Sequence, residues 1–121
     1  MNNQPINIQE KLTKFHTFWS PKVVTEMNNY QLKVAKFSGE FVWHKHDDTD
    51  EVFLVVKGEL TIRMREEDVV LKNGDLFVVP QGVEHCPYAK EECHVILIEP
   101  KGVINTGEVK SSLTAENDVW I

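Results

Sequence analysis

The sequence predicts an all-β fold of short antiparallel strands, a sandwich or a barrel, preceded by one short helix. Three observations carry this expectation. From about residue 30 onward no stretch keeps a helical period. Short apolar runs recur at close intervals, separated by Gly, Asn, Asp and Pro. No strand run alternates with a helical one, which disfavours parallel βαβ units.

Taken in order, residues 7–14, "NIQEKLTK", predict the helix. Asn7 is its N-cap, and Ile8, Leu12 and Phe15 share a face. "QLKVAKF" (31–37) alternates as a strand, with Leu32, Val34 and Lys36 on one side and Lys33, Ala35 and Phe37 on the other. "EVFLVVKGELTIRMR" (51–65) reads as two strands joined by a tight turn at Lys57-Gly58. "DVVLKNGDLFVVP" (68–80) reads as two more joined at Asn73-Gly74, a strong hairpin signal. "EHCPYA" (84–89) and "CHVILIEP" (93–100) complete the strands, and Val119-Trp120-Ile121 ends a polar tail that wraps and docks.

The 121 residues suit one domain: a barrel core over about 30–100, an N-terminal arm over 1–29 and a wrapping tail over 101–121. Apolar content of 41% supports a core without disulfide staples. A net charge of −6 with scattered lysines excludes nucleic acid and anionic membrane as partners, since phosphate contacts need clustered cations. The longest apolar runs, "VFLVV" and "VILI", are too short to span a bilayer, and the N-terminus lacks a signal-peptide layout. A cytoplasmic location is expected. Cys86 and Cys93 then read as buried thiols near each other in one hairpin, with neither beside an obvious base.

The chemistry concentrates in "HKHDDTDE" (44–51). Alternation along a strand points His44 and His46 the same way. Asp47, Asp48 and Asp50 form a solvated turn, and Glu51 opens the returning strand facing the two imidazoles. Two imidazoles and a carboxylate converging on a point suit a first-row divalent metal. His85, after the Pro80 strand stop and the Gly82 turn, is a fourth candidate ligand.

These residues resemble the two motifs of the cupins. The first reads Gly39, His44, His46, Glu51 and Gly58, with the glycine-to-histidine gap one residue short. The second reads Gly74, Pro80, Gly82, His85 and Ala89, the last where the family has Asn. The resemblance implies a double-stranded β-helix, or jelly-roll, barrel. It also implies one divalent transition metal (Zn, Mn, Fe, Ni, Co or Cu) held by His44, His46, Glu51 and His85, with open positions for a small-molecule ligand. It implies a homodimer, for which Phe15, Phe18, Trp19 and Val23-Val24 offer apolar surface.

Other residues stay open at this level. His94 shares a face with His85 if 84–95 is a hairpin with an even loop, and is then the candidate catalytic acid or base; otherwise it is a packed or rim histidine. His16 is expected on the surface, Trp43 and Trp19 on the outer face or an interface, and Phe53 and Val55 on the barrel wall. Asn105 and Thr106 are expected to form a structural turn near the mouth. Function is expected to be a metal-dependent step on a small polar metabolite, isomerase-like or dioxygenase-type; a non-catalytic binding or sensing module is the alternative. Arg63 and Arg65 are the only arginines, so neutral or weakly acidic ligands are favoured over sugar phosphates.

Overall fold

Asn7 caps the helix as expected: its side-chain oxygen accepts from the Glu10 N–H at 2.9 Å, in a computed structural model that describes residues 3–121. The first two residues of the expected arm lie outside the described residues. Helix α1 spans only Ile8–Leu12, shorter than expected, because the Thr13 N–H and hydroxyl both fold back on the Glu10 carbonyl. It is not long or apolar enough to cross a membrane, nor is any other described helix.

Seven strands follow: β1 (Lys22–Met27), β2 (Tyr30–Glu40), β3 (Glu51–Lys57), β4 (Leu60–Met64), β5 (Asp68–Leu71), β6 (Leu76–Val79) and β7 (His85–Pro100). All strand pairs are antiparallel, in the order β1-β2-β7-β3-β6, with β4 on β7 and β5 on β4. This is a rolled-up sheet of the expected all-β, jelly-roll kind. Strand β1 draws residues 22–27 of the expected arm into the sheet.

Two of the expected hairpins are not hairpins. β3 pairs with β6, and β4 with β5, so 51–79 is one long ribbon bent over at two corners. At those corners Gly58 N–H donates to Asn73 Oδ1 at 2.6 Å and Gly74 N–H to Val55 O at 2.7 Å. The Asn-Gly pair therefore turns the ribbon from one layer to the next. The positive φ that suits it to a hairpin serves a corner equally well. The tight hairpin is β4–β5, with Arg63 opposite Asp68.

The third correction concerns 84–100. It is a single strand of 16 residues, whose start pairs with β4 and whose end pairs with β3, and it lies along β2 over most of its length. Cys86 faces Arg63 and Cys93 faces Phe37, so the thiols lie seven residues apart on one extended strand, both free and buried, and are not neighbours. Burial pushes the Cys93 thiol up to about 12.

The barrel interior includes Ala35, Phe37, Phe53, Val55, Val95 and Leu97, aligned across β2, β7 and β3 by register, and Ile62 of β4. The opposite face of the same sheet is covered too. Leu12, Phe15 and Val24 pack on Val34 and Ile96, and Ile121 joins them. Lys36 is therefore buried beneath the arm, its Nζ donating to the Phe15 carbonyl at 2.8 Å. Phe15, Trp19, Val23 and Val24 are consumed within the chain, and of the residues expected at a dimer contact only Phe18 is exposed. The tail docks where expected: Val23 N–H donates to Val119 O at 2.7 Å and Ile121 N–H to Val23 O at 3.1 Å.

The corner bond yields a test. Asn73→Ala leaves the Gly58 N–H to solvent and is expected to cost about 1 kcal/mol in urea unfolding while the β-rich spectrum is kept. An unchanged midpoint would show that the corner is held by its backbone bonds alone.

Candidate metal centre

Four side chains converge at one end of the barrel. His44 and His85 form a bridge in which each N–H donates to the other's carbonyl, at 3.0 and 2.9 Å. This short pairing lies just beyond β2 and sets two imidazole rings 4.3 Å apart. His46 follows two residues on, with its ring 5.0 Å from that of His44. Glu51, the first residue of β3, points its Oε1 at His85 Nε2 (3.3 Å) and His46 Nε2 (3.5 Å). All four are buried, and one donor atom from each lies within 4.8 Å of the others. Metal bonds of about 2.0–2.2 Å require only small side-chain shifts to close that span on one ion.

The hydrogen bonding fits a cation. His44 Nδ1 lies 2.9 Å from the Val42 carbonyl, and His85 Nδ1 2.9 Å from the Val83 carbonyl. A carbonyl only accepts, so each Nδ1 carries the proton and each Nε2 lone pair turns inward. His46 Nε2 is buried and, with the Glu51 oxygen as far as 3.5 Å, makes no hydrogen bond, an uncommon state for an imidazole nitrogen unless something electrophilic completes it. Burial, and then the proximity of His85, push His44 down to about 4, so it is neutral and able to ligate at neutral pH. Burial works to raise Glu51, but the adjacent His46 and His85 imidazoles outweigh it and hold its carboxyl well below the usual range. A neutral imidazole beside an ionised carboxylate is the donor state a divalent ion needs.

A small cavity of about 20 Å³ adjoins His44 and Glu51. Phe37, Phe41, Phe53 and Leu97 form its apolar wall, and Trp19, Pro21 and Asn105 close it from the arm and the tail. Trp19, expected on an outer face, is instead stacked on Phe37 and Phe41 at centroid distances of 4.2 and 4.7 Å, with its Nε1 donating to Ser38 O. Trp43 is half-buried, with the Arg65 guanidinium over its ring. Phe53 lines the cavity as expected, while Val55 sits deeper in the core.

The sequence reading missed Glu99. It lines the cavity, is 2% exposed, and its Oε1 pairs with Lys33 Nζ at 2.8 Å. Register places Val52 opposite Ile98, so Glu51 and Glu99 are neighbours across β3 and β7. Burial, then the charge of Glu51, push Glu99 well above the usual carboxylate range, against the pull of Lys33. The signal was present: Lys33 and Glu99 both fall on the inward parity of apolar strands, which solvated charges would avoid.

His94 does not join the cluster. Residues 84–95 are not a hairpin; along the continuous strand Cys93 and Val95 point into the core, so His94 points outward, its Nε2 2.6 Å from Glu92. His16 is exposed, as are Asp47, Asp48 and Asp50, and Asp50 Oδ1 accepts from the Gln81 N–H at 2.8 Å.

An antiparallel barrel with three imidazoles and a carboxylate gathered at its mouth defines a metal-binding cupin. The family model of the cupin domain matches residues 32–99, and the chain belongs to the cupin family. A cupin-2 domain protein of Shewanella frigidimarina is 52% identical with a TM-score of 0.79, covering 79% of this chain and 94% of that one. The uncharacterised protein YdbB of Bacillus subtilis is 41% identical over 63 residues, 51% of this chain and 56% of that protein. The 3-hydroxyanthranilate 3,4-dioxygenase of Meyerozyma guilliermondii is 27% identical over 114 residues, 83% of this chain and 65% of that enzyme. The chain thus spans less than two thirds of either of these two curated relatives.

The buried His44 gives the metal-free protein a defined pH response. The unfolded chain takes up a proton near 6.5 that the folded imidazole refuses until about 4. Stability from this group is whole above 6.5 and falls away down to about 4, by on the order of 3 kcal/mol. Glu51 adds to the loss below 4.5, whereas Glu99, raised, works in the opposite sense. Urea unfolding across this range is expected to show the decline, and His44→Gln to flatten it.

Proposed function

We propose that His44, His46, Glu51 and His85 hold one divalent transition metal and that the protein is a metal-dependent enzyme of the oxygenase type, acting on a small hydroxylated molecule. The observation that carries the metal reading is the orphaned, buried His46 Nε2 aimed at the same point as the inward nitrogens of His44 and His85. Such an ion supplies Lewis-acid chemistry and, if it is iron, redox chemistry. This chain's own residues do the rest. The Val42 and Val83 carbonyls fix two imidazoles, and the Phe37, Phe41 and Phe53 wall keeps water out. Glu99, beside Glu51 in the cavity lining, would offer a hydrogen-bonding oxygen to a bound group; its Oε2 is buried and without a donor.

The aromatic wall and the curated dioxygenase relatives favour an oxygenase over a sugar isomerase. Phosphate ligands are disfavoured, because no Lys or Arg lines the cavity. Arg63 and Arg65 stand over the Tyr88 and Trp43 rings and pair with Glu40 and Glu84. Lys33 is engaged by Glu99.

A non-catalytic binding module has one observation in its favour: about 20 Å³ holds a water-sized group, so a larger ligand needs the Trp19–Asn105 cover to move.

Elemental analysis of protein purified without added metal is expected to find about one transition-metal ion per chain, and far less in His44→Ala and His85→Ala, both still β-rich. Stoichiometric metal in both variants would refute the ligand assignment. Oxygen uptake by the iron-loaded protein with hydroquinone and 3-hydroxyanthranilate separates the two functional readings: ligand binding without uptake leaves the module.

A homodimer fits the outer sheet better than it fits the arm. Leu76 and Val78 are 57% and 41% exposed, in register with half-buried Leu54 and Val52. Sedimentation is expected to show dimers that Val78→Lys weakens; a monomeric wild type would end this part of the reading.

A further inference from the structure

The C-terminal tail lies outside the matched residues 32–99, yet it presses on the loop that carries His46. Its turn at 104–107 is closed by Gly107 N–H donating to Ile104 O at 2.9 Å. Asn105 Nδ2 donates to the carbonyls of Trp19 and Leu113, both at 2.9 Å, and its Oδ1 accepts from the Ala115 N–H at 2.9 Å. Thr106 is fully buried, with its hydroxyl 2.7 Å from that of Thr114. The turn is thus tied to the arm and to three further residues of the tail.

Gly107 is where this turn meets the metal loop. Its φ is 63°, and a Cβ there would collide with the Lys45 carbonyl oxygen and reach within 3.8 Å of His46 Nδ1. Gly102, five residues earlier in the same tail, has a φ of 94°, but a Cβ there meets nothing within 4 Å.

His46 needs such a support more than its partners do. Backbone carbonyls orient the rings of His44 and His85 through Nδ1. Among the described residues no carbonyl holds His46 Nδ1 in that way, and its Nε2 is the orphan. We propose that Gly107 is the positioning residue for His46: the tail turn, seated on the Lys45–His46 backbone, takes the place of the carbonyl bond that the other two rings have. This rests on the four side chains being metal ligands. It makes the tail a part of the metal centre, and it assigns Gly107 to the close approach.

The test compares Gly107→Ala with Gly102→Ala in the full chain. Both put alanine at a left-handed position of the tail, but only the first adds an atom against Lys45. Cobalt(II) affinity is read by chelator competition, with the visible spectrum of the bound ion. The ring resonances of His46 are read by NMR in the metal-free protein. Gly107→Ala is expected to bind cobalt about ten- to a hundredfold more weakly, as loss of an orienting contact does elsewhere, and to shift the His46 ring signals. Gly102→Ala is expected to keep wild-type affinity, spectrum and ring signals. Equal cobalt affinities in the two variants, with His46 unshifted in both, would overturn the proposal. If Gly107→Ala does not fold, Thr114→Val loosens the same turn from a distance. A weaker affinity and a shifted His46 ring there support the proposal, and wild-type values overturn it. Failure of the wild type to take up cobalt would refute the metal reading, whereas the metal-free ring signals report the placement of His46 independently.

Discussion

A carboxylate buried in an apolar barrel has to be compensated, and the arrangement of this protein follows from how Glu51 meets that demand. It is 5% exposed and ionised, with imidazole nitrogens at 3.3 and 3.5 Å as its nearest partners. Those imidazoles are themselves buried, and one of them lacks any other partner. Such a group is costly unless a cation completes it. The end of the barrel is therefore organised as a receptor for positive charge. Glu99 repeats the problem one strand away and is answered by Lys33 at 2.8 Å. One inward-facing row thus holds two carboxylates with two different compensations, an imidazole cluster and an ammonium group. Lys33 is engaged by Glu99, so the imidazoles of His46 and His85 are the chain's own groups that face Glu51.

The barrel makes this possible through its long strands. β7 runs 16 residues and contributes His85 at one end and Glu99 at the other, pairing in passing with β4, β2 and β3. Glu51 and His85 sit at the first positions of β3 and β7 and His44 is bridged to His85, whereas His46 lies on the loop that follows. The His44–His85 bridge is the clearest case: the backbone bonds that join the two strands also fix the separation of the two rings. Preorganisation of this kind reduces the entropy lost when an ion is bound.

The arm and the tail complete what the barrel leaves open. Trp19 sits at a positive φ of 60°, an unfavourable conformation for a bulky residue, and is kept there by stacking on Phe37 and Phe41 and by the Asn105 amide. The aromatic cover over the cavity is thus supplied by a segment that the sequence alone placed on the outside. Trp19 follows Phe18 in a stretch that keeps no strand or helix period, and only the surface it lands on shows which way it points.

What the sequence determined by itself was local and periodic. Alternation placed His44 with His46, and Glu51 with Phe53 and Val55, on one face, because successive side chains in a strand point to opposite sides whatever the strand pairs with. Spacing of His, Glu, Gly and Pro pointed to the family, and the Asn7 cap was a contact between near neighbours. What only the tertiary structure decided was partnership between distant segments. Asn73-Gly74 encodes a turn but not whether the flanking strands pair with each other, and here they pair elsewhere. Residues 84–89 and 93–100 read as the two strands of a hairpin, but β7 runs straight through, and the continuous strand turned His94 outward and parted the two cysteines. Lys33 against Glu99, Asn105 against Trp19 and Gly107 against Lys45 link residues far apart in the chain, and their energetics depend on burial, which no local pattern records.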